Sequence, residues 1–118
     1  MNPSACPFCR IIQGDQPAEV VYRDETLICF TDARPITPVH ILIVPLEHIE
    51  SLNDATSAHQ ELLGHMLLTA RELISGTRLE RSGYRLVINT GLDAGQSVFH
   101  LHLHLIGGRA MPFQFGPR

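Results

Sequence analysis

The sequence predicts an α+β fold: a sheet of about five antiparallel strands carrying one long and one short helix. Short branched or alternating runs, bounded by Gly, Pro and Asp, recur at 19–23, 26–31, 40–44, 84–89 and 100–106. Sustained three- and four-residue apolar spacing occurs in one stretch, through Leu62, Leu63, Met66, Leu67, Ala70, Leu73 and Ile74. At 118 residues the chain fits one domain, 1–118, with one core. A run of strands interrupted by a single long helix places the helices on one face of the sheet.

Taken in order, Cys6-Pro7-Phe8-Cys9-Arg10-Ile11-Ile12 forms the short helix, with Pro7 suited to a first helical position and Gly14 to a stop. The runs 19–23 and 26–31, separated by Asp24-Glu25, read as a hairpin, with Cys29 a small buried hydrophobe. Residues 32–38 are a turn-rich connection, because Pro35 and Pro38 each bias the preceding residue away from the helical region. The run 40–44, nearly all apolar between Pro38 and Pro45, reads as a central strand buried on both faces.

The long helix starts at an N-cap Ser57, with Gln60 completing a capping box, and ends at Gly76. His59 and His65 on it read as surface or half-buried side chains. A branched strand, 84–89, then leads through the glycine-containing loop 90–97 into the strand 100–106, which Gly107-Gly108 terminates; residues 109–118 read as an extended tail.

An apolar fraction of 44%, a charged fraction of 18% and a formal net charge of -3 describe an ordinary globular protein with no general attraction for nucleic acid or anionic lipid. Any phosphate recognition must therefore be local. No run approaches the roughly 20 apolar residues that span a bilayer, and the first residues lack a basic and apolar leader pattern. A soluble, cytoplasmic protein without membrane or nucleic-acid partners is expected. Cys6, Cys9 and Cys29 make an odd set, and a Cys-x-x-Cys pair in a reducing compartment points to metal binding or redox chemistry rather than a structural disulfide.

His100, His102 and His104 alternate strictly with Leu101, Leu103 and Leu105, so three imidazoles stand on one face of a strand, roughly 6 to 7 Å apart at Cβ. Such a row can ligate zinc, act as a nucleophile, or satisfy backbone carbonyls in a core. Three histidines in strict alternation beside Gly95-Gln96-Ser97 disfavour the purely structural role. Gly95 permits close backbone approach, Gln96 and Ser97 offer neutral donors, and turn amides can cradle an anion. Donors aimed at developing phosphoryl charge fit a phosphorus electrophile better than a carbonyl.

On these residues the sequence resembles the histidine-triad superfamily. Asn89-Thr90-Gly91, the stretch Gly95 to His104, Gly107-Gly108-Arg109, Phe8 to Ile12, Phe30-Thr31-Asp32 and Pro38 to Pro45 look more like its Hint branch, the purine nucleoside phosphoramidases, than its fragile-histidine branch. The resemblance implies that His102 attacks the α-phosphorus to give a nucleotidyl-histidine that water hydrolyses, with His104 on the phosphate and His100 and His40 orienting the row. It implies Ser97 near the leaving amine, Gln96 and Asn89 near the phosphate with Gly95 in their loop, and Phe8, Ile12, Phe30 and Leu42 as an apolar slot for the base. Asp32, a turn-capping aspartate on local grounds, becomes by resemblance the ribose ligand.

The implied activity is hydrolysis of the P–N bond of purine nucleoside phosphoramidates, of AMP-lysine or aminoacyl-adenylate type, releasing the nucleoside monophosphate with no cofactor in the chemistry. Its alternatives are dinucleoside polyphosphate hydrolysis and a nucleotide-binding regulatory or scaffold role. By the same resemblance a structural Zn2+ would be held by Cys6, Cys9, His48 and His100. The helix 57–75 and the strand after it would form a homodimer surface that joins two sheets into a larger one. The family's tail reaches across that dimer; here Pro112-Phe113-Gln114-Phe115-Gly116 replaces the Trp-Pro-Pro-Gly of eukaryotic relatives, with Phe113 retaining an aromatic group.

Overall fold

The computed structural model describes residues 5–118. Its elements are α1 (Pro7–Gln13), β1 (Val20–Arg23), β2 (Leu27–Thr31), β3 (Val39–Pro45), α2 (Gln60–Ile74), α3 (Leu79–Ser82), β4 (Tyr84–Val87) and β5 (Leu103–Gly107). The five strands form one antiparallel sheet in the order β1-β2-β3-β5-β4. β3 is central, as its nearly continuous apolar run predicts.

The two helices cover opposite faces, not one. Leu27, Cys29, Ile43, Leu103 and Leu105 pack against Met66, Ala70 and Ile74 of α2. Ile28, Phe30, Leu42 and Val44 pack against Phe8 and Cys9 of α1 and its capping residue Cys6. The physical reason lies in β2 and β3, which are apolar at successive positions and so present two faces that must both leave water. A single layer of helices covers only one of them.

At the start of α1, Cys6 is the N-cap, its Sγ accepting from the Cys9 backbone N at 3.4 Å, and Gly14 stops the helix at φ 84°. The long helix begins differently from expectation. Thr56, not Ser57, is the cap of a 3-10 turn at Ser57–His59 that runs into α2, and His59, not Gln60, completes the box. Its Nδ1 accepts the Thr56 backbone N–H at 3.0 Å, a lone pair doing what a Glu or Gln oxygen does in the common pattern. Leu67, counted in the apolar stripe, is 48% exposed beside Leu68 at 52%. α3, absent from the sequence-based expectation, places buried Leu79 over Gly107, where an added Cβ would come within 3.1 Å of it.

The β1–β2 hairpin is tied to α2 through Asp24. Its carboxylate accepts from the Thr26 and Leu27 backbone N–H groups at 2.8 Å each, from the Tyr22 hydroxyl at 2.7 Å and from His65 Nε2 at 2.7 Å. Burial opposes ionisation of Asp24, but these donors outweigh it and hold the carboxyl well below the usual range.

β5 starts at Leu103, later than the alternation suggests, because Leu101 N–H bonds to the Ile49 carbonyl at 2.6 Å instead of joining the ladder. The two-faced pattern survives this: Leu101, Leu103 and Leu105 all enter the core beneath α2. No helix among the described residues is long and apolar enough to cross a membrane.

Candidate active site

On the α1 side of the sheet a cavity of about 920 Å³ opens between the end of β2, the turn after it, the loop before β5 and the tail. Phe8, Phe30, Leu42, Asp32, His40, Ser97, His102 and His104 line it. The histidines are almost wholly enclosed, with exposures of 2% for His40, 0% for His100, 5% for His102 and 1% for His104.

Backbone groups fix the protonation pattern of these rings. His102 Nδ1 lies 2.6 Å from the His100 carbonyl oxygen, which can only accept, so Nδ1 carries the hydrogen and Nε2 keeps its lone pair. His40 Nδ1 accepts the Ile36 N–H at 3.2 Å, so the hydrogen of His40 is on Nε2. That Nε2–H donates to His104 Nδ1 at 2.9 Å, which forces the hydrogen of His104 onto its own Nε2. His104 Nε2 is buried with no protein partner, a donor available to an incoming anion. His100 Nε2–H donates to the Pro45 carbonyl at 2.8 Å and leaves Nδ1 as a lone pair.

Electrostatics favour neutral rings. Burial lowers the pKa of His102 against opposing contributions from the His100 carbonyl and Asp32. Burial, then His102 and His40, pushes His104 down to about 3, and burial outweighs Asp32 in lowering His40. Phe8 meets the His102 ring edge-to-face at 5.0 Å and the Phe30 ring at 5.4 Å, linking His102 to the apolar side chains of the cavity.

Asp32 caps its turn, as local sequence predicts, and also lies on the cavity wall. One oxygen accepts the Arg34 N–H at 2.8 Å, closing the turn, while the other lies 3.4 Å from His40 Nε2 at the cavity wall. Other expected positions face elsewhere. Gln96, 3% exposed, accepts from Gly91 N–H at 2.9 Å and donates to the Glu50 and Val98 carbonyls at 2.8 and 3.1 Å, so its side chain braces the loop. Asn89 Nδ2 donates to the Pro117 carbonyl at 2.7 Å. Ile12 packs at the margin of the α1 core cluster, and Gly95, at φ 87°, is the turn through which the loop reaches Ser97.

The tail turns back onto its own chain instead of running extended, and Gly116, Pro117 and Arg118 line the same cavity as the histidines. Arg34, Glu19 and Arg118 are charged wall residues that carry no motif; only proximity in the fold reveals them.

Behind the row, Cys6, Cys9, His48 and His100 bring four ligand atoms within 4.8 Å of one another. His100 Nδ1, the free lone pair, lies 3.4 Å from Cys6 Sγ and 3.6 Å from Cys9 Sγ, and His48 Nδ1 is 3.1 Å from Cys9 Sγ. Burial, then the adjacent Cys6, pushes the Cys9 thiol up to about 11, so a Cys9 thiolate here requires a neighbouring cation. Two thiols and two imidazoles suit tetrahedral zinc. Asp32, His40 and His104 are comparably close. There, however, His40 Nε2 holds the hydrogen donated to His104, and moving it to Nδ1 would set two donors against each other at Ile36; that trio is a hydrogen-bond chain. Cys29 lies apart in the α2-side core, its thiol pushed up to about 12 by burial. His59 and His65 are engaged with Glu47 and Asp24, outside the cavity.

Comparison with known proteins follows the same lines. The family described as "Scavenger mRNA decapping enzyme C-term binding" matches residues 5–115. A purine nucleoside phosphoramidase of Escherichia coli K12 is 38% identical over 104 residues, 88% of this chain and 87% of that protein. The crystal structure of a HIT family hydrolase from Legionella pneumophila superposes with a TM-score of 0.90 at 45% identity, covering 94% of this chain and 99% of that one. A zinc-bound histidine triad family protein from Mycobacterium smegmatis superposes with a TM-score of 0.82 at 32% identity, covering 99% of this chain and 86% of that one.

Proposed function

Since the chain belongs to the histidine-triad superfamily and is a nucleotide hydrolase of that family, we propose that it cleaves the P–N bond of purine nucleoside phosphoramidates. The observation that carries this reading is the pairing of an open His102 Nε2 lone pair with an unpartnered, buried His104 Nε2–H on one cavity wall.

In this reading His102 Nε2 attacks the α-phosphorus, the P–N bond breaks, and the leaving nitrogen takes a proton through Ser97 or a water beside it. The nucleotidyl-imidazolium so formed keeps its Nδ1–H on the His100 carbonyl, which stabilises the positive charge. His104 Nε2–H donates to a non-bridging oxygen, and His40 holds His104 in the tautomer that makes this possible. Water then attacks phosphorus and gives up a proton that replaces the one taken by the leaving nitrogen, the P–Nε2 bond breaks with its electron pair returning to Nε2, and the nucleoside monophosphate leaves. Phe8, Phe30 and Leu42 sandwich the purine, and Asp32 accepts from the ribose hydroxyls. Gln96 acts by holding the Gly91–Val98 loop, of which Ser97 and Val98 reach the cavity wall.

Cys6, Cys9, His48 and His100 would hold a zinc ion that fastens α1 to the segment before β5 and supplies no chemistry to the phosphorus. The exposed Leu67 and Leu68 of α2, with the edge strand β4, are the surface proposed for a homodimer. Light scattering checks the dimer: a monomer at micromolar concentration contradicts it.

The activity is tested by incubation with a fluorogenic adenosine phosphoramidate and, separately, with diadenosine polyphosphates. Phosphoramidate turnover that His102→Asn abolishes supports the proposal; faster cleavage of the dinucleotides, or an equally active variant, overturns it.

A further inference from the structure

The buried histidines offer an incoming phosphate one unpartnered donor, His104 Nε2–H, so the remaining phosphoryl oxygens need another source of donors. The cavity wall carries Glu19 and Asp32 at the β2 end, with Arg34 two residues along the same turn as Asp32. The same wall includes Ser97 and Arg118. Its side chain packs on Gly95: a Cβ built there would lie 3.4 Å from Arg118 Cγ and 4.0 Å from its Cα and Cβ. Gly95 adjoins Ser97 and Val98, the loop residues that reach the cavity wall.

The tail that delivers Arg118 is fastened at several points. Arg85 on β4 donates to the Pro112 and Phe115 carbonyls at 3.0 and 2.6 Å. The Arg109 guanidinium stacks 4.8 Å above the Phe115 ring, and Asn89 holds the Pro117 carbonyl at 2.7 Å. Pro117 itself is buried.

We propose that Arg118, brought to the Gly95–Ser97 loop by this anchored tail, binds the phosphate group of the nucleotide. A planar guanidinium can bridge two phosphoryl oxygens while His104 takes the remainder. Asn89 then serves phosphate binding through the tail. The inference rests on the nucleotide reading given above.

Calorimetric titration of the full chain, isolated with its metal, with AMP and with adenosine tests it. Arg118→Ala is expected to weaken AMP about five- to tenfold and leave adenosine unchanged, with Arg118→Lys intermediate. The salt dependence of AMP binding should also shrink in Arg118→Ala. Equal weakening of both compounds, which would mean that the tail merely closes the cavity, or no change in either, overturns the proposal. Parent protein that binds neither compound overturns the nucleotide reading and this one with it; parent protein that binds both, with an indifferent Arg118→Ala, removes only the role of Arg118.

Discussion

The Nδ1 of His102 sits 2.6 Å from the carbonyl oxygen of His100, so the residue that begins the histidine row dictates which nitrogen of its neighbour is free. The contact predicts an Nδ1–H tautomer for His102 and Nε2–H tautomers for His40, His100 and His104. Nitrogen-15 shifts of the imidazoles near neutral pH check this. A His102 ring protonated on Nε2 would leave no lone pair facing the cavity and would contradict the mechanism.

Zinc removal should loosen the protein without altering the cavity's reactive atoms. One equivalent is expected by elemental analysis, lost in Cys9→Ser, with a fall in melting temperature of about 5 °C or more. Less than a tenth of an equivalent in the parent protein, with Cys6→Ala and Cys9→Ser melting as it does, contradicts the site.

Stability should fall on mild acidification. His104, at about 3 when folded, and His40, also lowered, resist protonation in the native state, whereas a free imidazole titrates near 6.5. Below that pH the unfolded chain binds more protons, so the contribution is present in full above about 6.5 and is lost as pH falls toward 3. Urea midpoints at about pH 7.5, 6 and 5 measure it. The expected slope is positive with pH and flatter in His104→Asn; a midpoint constant across that range contradicts the assignment.

Asp24→Ala removes the acceptor shared by the hairpin and His65 and should cost about 2 kcal/mol in urea denaturation. His65→Ala removes only the half-exposed ion pair and should cost less than about 1 kcal/mol. Equal losses would mean that the helix contact, not the turn, dominates.

Much of this arrangement is legible along the chain because it is periodic. The alternation of His and Leu places the imidazoles opposite Leu101, Leu103 and Leu105, and the nearly continuous apolar run of β3 marks it as central. What periodicity leaves out is what depends on distant partners. Two apolar faces on β2 and β3 imply two covers, yet nothing local says that α1 is the second. His59 acts as a capping-box acceptor through a lone pair that pattern rules assign to Glu or Gln. The side chains of Gln96 and Asn89 are drawn to Glu50, Val98 and Pro117 by unsatisfied backbone groups that exist only once the loop and tail are folded. No local signal pairs Cys6 with His100, 94 residues away; only the family resemblance does.

The central claim is that His102 becomes covalently bonded to phosphorus. Mixing the protein with an adenosine phosphoramidate, quenching in alkaline denaturant within the first turnover and mapping the digest by mass spectrometry tests it directly. An adenylyl adduct is expected on the peptide containing His102, at the imidazole, and is expected to be absent from His102→Asn. Turnover that proceeds with no adduct at any time, or an adduct confined to a different residue, would contradict it.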